Sequence, residues 1–271
     1  MQAKLDCVTC FQDQALRAAR AAGVSEDVQK QVLRQVVKYV AGADWTATPI
    51  DLGMPVHRIV REVTGIDDPF AARKREATEA ALACAPEPRE RIQQAADPLR
   101  MAVRIAIAGN IIDLGALASF DLDETLEHVS TADFAIDDYE RLQADLQGAD
   151  SLLMFADNTG EIVFDRLLLE TIAQRWSPRI TLVVKSGPFI NDATVADARA
   201  SGLDGIQNLR MREISNGDEG DAPDYASREI DEWIAEHDVL LMAKCPCVAD
   251  AIGVNVGDVI LQHSSSRGGE R

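Results

Sequence analysis

The chain is 271 residues long, with 27 Lys and Arg against 45 Asp and Glu and a formal charge of -18. Apolar residues make up 46% of it, which supports a core for one large domain or two unequal ones and excludes wholesale disorder. So acidic a chain repels phosphate backbones unless its basic residues cluster; none do, so no nucleic-acid partner is expected.

No apolar run reaches the roughly 18 residues that span a bilayer, so no membrane partner is expected. The start, Met1-Gln2-Ala3-Lys4-Leu5-Asp6, lacks the apolar stretch of a signal peptide, and a soluble, cytoplasmic protein is expected. Only 6 of the basic residues are Lys and 21 are Arg. An acidic, Lys-poor surface suits a high-salt cytosol, where counterions screen self-repulsion, or reflects a GC-rich genome in an ordinary one.

Up to about residue 148 the pattern is helical. Ser25 stands at the N-cap position before Glu26 and Asp27, and Val28, Val32, Val36 and Val40 recur every fourth residue before Gly42. Val56, Ile59, Val60 and Val63 repeat the period up to Gly65. Further helices are predicted over 69–84, 87–109, 122–129 and 137–147, with Pro98 marking a kink or a junction.

After Gly148 the period changes. Short apolar runs, Ser151 to Ala156 and Ile180 to Val184, a weaker one near 207–214, then Val239 to Met242 and Val259 to Leu261, alternate with helical stretches at 160–176, 191–201 and 226–236. Buried strands alternating with helices predict a parallel, doubly wound sheet. The expected architecture is therefore α/β: a helical N-terminal region, 1–148, packed on a Rossmann-like three-layer α/β/α unit with a mostly parallel sheet, 149–262. The Ser/Gly/Arg-rich tail, 263–271, is expected to be disordered.

Ligands of an open parallel sheet bind beyond the carboxyl ends of its strands. Two polar groups stand there: Asp157-Asn158-Thr159-Gly160-Glu161 after the first predicted strand, and Asn191-Asp192 beyond Lys185 at the end of the next. Carboxylate and amide oxygens gathered there suit a hard cation of the Mg²⁺ or Mn²⁺ type. A helix opening near Gly160 adds N–H groups for an anion, and metal plus anion pocket suggests phosphate-ester chemistry. The plainer reading is that Asp157 and Asn158 only cap a helix.

Other motifs carry less. Asp121-Leu-Asp123-Glu-Thr125 matches a DxDxT nucleophile string, but the Ala-rich stretch before it does not read as a buried strand, so a helix cap is expected. The four histidines, 57, 128, 237 and 263, lack metal spacing and are expected at the surface, and Trp45, Trp176 and Trp233 are expected to serve packing. Cys7 and Cys10 fall at i and i+3 of a predicted helix, hence on one face. With Cys245, and Cys247 beside it, they form a candidate soft-metal site for zinc or iron–sulfur; the alternative is buried thiols acting as small apolar groups.

In chain order, Cys7-Val-Thr-Cys10, Ala108-Gly-Asn-Ile-Ile-Asp113, Asp157-Asn-Thr-Gly-Glu-Ile-Val-Phe-Asp165, Val184-Lys-Ser-Gly-Pro-Phe-Ile-Asn-Asp-Ala-Thr194, Ile214-Ser-Asn-Gly217 and Ala243-Lys-Cys245 resemble the metal-dependent, ARMT-like damage-control phosphatases. The likeness is to the stand-alone microbial branch of a family long classed as a domain of unknown function, and it runs from residue 4 to about 261. It implies a phosphatase for a small phosphorylated metabolite using a divalent cation: Mn, Co, Ni or Mg. By the same resemblance Asp157, Asn158 and Asp192 hold the metal. Asn110 and Asp113 approach from the helical region, Asn191 and Ser215 are nearby polar contacts, and Gly160 and Glu161 lie on the substrate side.

The family's Lys-Gly-x-Gly-Asn loop has no counterpart between Asp224 and Lys244. Lys185 is the candidate to supply the missing cation, so the catalytic set reads Asp157, Asp192 and Lys185. A non-catalytic metal- or ligand-binding protein of the same fold is the alternative. Neither the particular metabolite nor the oligomeric state follows from the sequence.

Overall fold

The computed structural model describes residues 3–111, 134–215, 228–242 and 260–261. Six helices come first: α1 (Asp6–Ala21), α2 (Glu26–Ala41), α3 (Pro49–Thr64), α4 (Ala71–Cys84), α5 (Pro86–Gln94) and α6 (Pro98–Ile111). Strand β1 (Ile136–Asp137), helix α7 (Tyr139–Gly148), β2 (Ser151–Phe155), α8 (Glu161–Arg175) and β3 (Arg179–Lys185) follow. The rest are α9 (Val195–Ala200), β4 (Leu209–Ile214), α10 (Arg228–Ala235), β5 (Val239–Met242) and β6 (Ile260–Leu261).

Among the described residues β4, β3, β2 and β5 form a parallel sheet in that order, with Leu152 paired to Ile180 on one side and Val239 on the other. Because side chains alternate across a strand, both faces of β2 must be covered. Leu152 and Met154 join a core with α6, α7 and α8, whereas Leu153 and Val183 meet Trp233 of α10 on the opposite face. These are the three layers expected of the α/β unit. The order reverses at β2, since β3 and β4 build outward on one side and β5 returns to the other. Such a reversal opens a crevice at the carboxyl edge.

Helices α1, α2 and α3 have their own core of Phe11, Val32, Val36, Val40, Val56 and Val60, among others, and Ile190 from the loop after β3 leans against it. Thr48 and Asp51 form a reciprocal capping box at the start of α3, and Gly65 ends it at φ 69°, the left-handed conformation suited to glycine. Helix α6 lies along α8, and a Cβ on Gly109 would come within 2.9 Å of Phe164. Glycine there permits an approach that alanine forbids.

Several expectations are corrected. Of the two readings of Pro98 within 87–109, kink or junction, the structure has the junction: α5 ends before it and Pro98 starts α6, where Asp97 accepts from the backbone N–H of Arg100. The region expected to be wholly helical contains β1, which pairs in parallel with β6 near the chain's other end. Two residues are too short to show a period. Ser25 occupies the N-cap of α2 in extended conformation, but its side chain makes no capping hydrogen bond.

His57 and His237 are buried, not superficial. Each has a polar partner: His57 Nε2 lies 3.1 Å from Gln14 Oε1, and His237 Nε2 lies 2.8 Å from Thr181 Oγ1. Hydrogen-bonded polar groups tolerate burial. Trp233 serves packing, but Trp45 is 36% exposed. The DxDxT segment, the predicted helix 122–129 and the tail 263–271 lie outside the described residues.

Candidate active site

The site is built by the two loops that leave β2 and β3 at the carboxyl edge. After Phe155 the chain passes through Asp157 and Asn158 and turns at Gly160, whose φ of 83° lets α8 begin at Glu161. After Lys185 it loops through Phe189 and Asn191-Asp192 to the capping box of Thr194 and Asp197 that starts α9.

Backbone bonds lock the two loops together. Ala193 N donates to Asp157 O at 2.8 Å, and Thr159 donates through both its N–H and its hydroxyl to Asn191 O at 2.9 Å. Asn158 and Asp192 form an isolated antiparallel bridge. Asp157, Asn158 and Asp192, separated in the chain, are thereby presented by one joined edge.

The electrostatics are those of crowded, desolvated carboxylates. Asp192 is pushed up to about 7, chiefly by burial; the charge of Asp157 adds to the shift, and Lys185 and Lys74 oppose it. Lys185 Nζ lies 3.6 Å from Asp192 Oδ2 and 5.4 Å from the centroid of the Phe189 ring. Burial lowers the lysine's proton affinity, and the Asp192 carboxylate works against that.

Three residues that sequence reasoning did not single out shape the same region. Lys74 of α4 is buried and pairs with Asp68 at 3.3 Å and Asp197 at 2.9 Å, tying the helical part to the start of α9. Asp165 is buried on α8 with its Oδ2 lacking a hydrogen-bond partner among the described residues, and burial, Glu161 and Asp157 together raise it well above its ordinary value. Its signal in the sequence was a second acid one turn after Glu161 in an otherwise apolar segment. His57 meets Phe189 edge-on at 5.1 Å, and no local pattern announces that contact.

The remaining expected residues are placed as follows. Glu161 is 2% exposed and accepts from Asn158 Nδ2 at 3.3 Å. Gly160 is buried against Ala77, Asn191 is buried beside Thr159, and Ser215 directly follows β4. Asn110 lies in the last turn of α6, and Asp113 is outside the described residues. Beside the site loop, a small open cleft is lined by His57, Arg61, Asp68, Phe70, Pro188 and Ile190 among others.

Cys7 and Cys10 lie one turn apart on α1, where Cys10 Sγ accepts from Gln14 Nε2 at 3.1 Å. Cys245 and Cys247 are outside the described residues, among which no three His, Cys, Asp or Glu side chains cluster as metal ligands. The candidate cation site is of another composition, two carboxylates and one amide. Among the described residues no helix is long and apolar enough to cross a membrane.

A four-stranded parallel sheet with oxygen donors at its topological switch, roofed by helices, defines an α/β protein with an acidic carboxyl-edge site. The chain belongs to the damage-control phosphatase ARMT1-like domain family, whose pattern it matches over residues 3–228. It is 30% identical to a damage-control phosphatase of Archaeoglobus fulgidus, an alignment that covers 94% of this chain and 96% of that one. It is 28% identical to damage-control phosphatase PH1575 of Pyrococcus horikoshii, covering 96% and 97%. The crystal structure of that DUF89 family protein superposes with a TM-score of 0.79 at 26% identity, covering 96% of this chain and 98% of its own. An uncharacterized protein of Methanocaldococcus jannaschii, MJ0202, is 30% identical over 95% of this chain and 94% of its own.

Proposed function

We propose that the chain is a divalent-cation-dependent phosphatase acting in the cytoplasm on a small phosphorylated metabolite, with Asp157, Asn158 and Asp192 holding the cation. The observation that carries this reading is the Asn158–Asp192 bridge, which unites oxygen donors from two loops at the switch of the sheet. The donor set fits a hard or borderline cation, Mn, Co, Ni or Mg. The rise in Asp192 fits too, because burial and the Asp157 charge together outweigh the opposing Lys185 and Lys74, and a cation would add to those two. When bound, the cation supplies Lewis-acid polarisation of a phosphoryl oxygen.

The chain's own groups do the remaining work. Hydrolysis leaves charge on the phosphoryl oxygens, and Lys185, buried at the end of β3, is the ammonium placed to meet it. The first turn of α8, from Gly160, adds the positive end of a helix dipole. Asn191, Ser215, Asn110 and Asp113 are assigned to the substrate side. Specificity falls to the helical region up to residue 148, while residues 149–262 supply the chemistry. Family membership and the names of two relatives support the phosphatase role.

The test is hydrolysis of p-nitrophenyl phosphate and a panel of sugar phosphates with Mn²⁺, Co²⁺, Ni²⁺, Mg²⁺ or EDTA. Turnover that needs a cation and disappears in EDTA supports the assignment. Cation binding without turnover of any ester favours the non-catalytic binding protein, and equal rates in EDTA overturn the metal assignment.

A further inference from the structure

We infer that Glu161 is a positioning residue that fixes which amide atom of Asn158 is presented to the cation. The inference rests on the cation assignment above. An asparagine amide has the same outline with its oxygen and nitrogen exchanged, and only the oxygen ligates a hard cation. Something must hold the correct face outward. Here Asn158 Nδ2 donates to Glu161 Oε2 at 3.3 Å, which commits the nitrogen to α8 and leaves Oδ1 as the atom available to the cation.

Glu161 is built for this. It is 2% exposed, so its carboxylate does not swing into solvent, and it stands in the first turn of α8, where the helix dipole favours an anion. The left-handed turn at Gly160 brings that first turn back under Asn158, and Ile162 N donates to Asn158 O at 3.2 Å. Asn158 is thus held through its backbone and its side chain by consecutive residues of the same helix. Groups that orient a metal ligand in this way typically change metal affinity 10- to 100-fold when removed.

The experiment is a calorimetric titration of the full chain with Mn²⁺, alongside metal-free thermal unfolding, for Glu161→Ala, Glu161→Asp and Glu161→Gln. Gln keeps an acceptor in place for Asn158 Nδ2; Asp withdraws it by one methylene and keeps the charge; Ala removes both. The expected result is a Mn²⁺ affinity about 10- to 100-fold weaker for Ala and for Asp, and within about threefold of the parent for Gln. If the Ala variant fails to fold, the Asp and Gln pair decides. An Asp variant as tight as the parent, or a Gln variant as weak as Asp, overturns the inference, the latter because an acceptor held at that position would then not suffice to keep the affinity. A parent that binds no Mn²⁺ overturns the cation assignment and this inference with it, an outcome distinct from failure among the variants alone.

Discussion

Asn158 and Asp192 face each other across an antiparallel bridge between the loops that leave β2 and β3, and Ala193 N donates to Asp157 O beside it. The bridge is a backbone feature, so the side chains can be changed without dismantling it. Asp157→Ala keeps the carbonyl that Ala193 uses. We expect it to lower cation-dependent turnover by roughly 10²–10³-fold, several kcal/mol of lost stabilisation, while near-native circular dichroism is retained. Unchanged hydrolysis would remove Asp157 from the site.

The protonation of Asp192 gives a pH test. Its folded value is raised to about 7 from an ordinary 3.8, so between roughly pH 4 and 7 the folded protein binds more protons than the unfolded chain. This group's contribution to stability is therefore largest at low pH and is lost as pH rises through that window. A cation needs the ionised form, so Mn²⁺ affinity should climb from pH 5 to 7 and then level off, with proton release below 7. Calorimetry in two buffers of different ionisation enthalpy measures that release, and a pH-independent affinity would contradict it.

Lys185 pairs with Asp192, and in the proposed reaction a substrate phosphate would compete for its charge. Lys185→Met keeps much of the apolar stem and removes the ammonium that lies over the Phe189 ring. A fall in kcat of about 10²-fold, with a smaller change in KM, is the expected signature of a lost electrostatic stabiliser. A variant as fast as its parent would make the lysine a structural partner of Asp192 only.

His57 titrates in the opposite sense from Asp192. Burial holds it neutral, with its value lowered to about 4 from 6.5, and the Arg61 charge works the same way. The unfolded chain therefore takes up a proton first as pH falls. The stability that His57 contributes is present above about 6.5 and is lost between 6.5 and 4, up to about 3 kcal/mol. Chemical denaturation of His57→Gln at pH 7 and 5 should show a shallower acid loss than the parent, and equal slopes would refute the argument.

Lys74 neutralises two acids that belong to different parts of the fold, Asp68 before α4 and Asp197 in the first turn of α9. Replacing it with Met leaves both carboxylates without their ammonium and should destabilise by about 3–5 kcal/mol, read from a urea midpoint. The start of α9 lies just beyond Asp192, so Mn²⁺ affinity should fall as well. A midpoint within 0.5 kcal/mol of the parent would show the pairing to be idle.

Much of this was legible in the residues alone. Apolar runs such as Ile180 to Val184 mark strands buried on both faces, because such strands need no polar alternation, and the Asp157–Asp165 and Val184–Thr194 strings lie within the span that matches the family. Loops that follow adjacent parallel strands must emerge at one edge, which is why Asp157, Asn158 and Asp192 were readable as neighbours before any coordinate.

Only the tertiary structure decided the rest. Strand β1 exists because β6 lies beside it, and His57 and Lys74 are buried because Gln14 and Asp197 arrive from elsewhere in the chain. Glu161 meets Asn158 across the turn that Gly160 makes at φ 83°. Local periodicity records which face of an element is apolar, whereas burial of a charge depends on a distant partner that no local window contains.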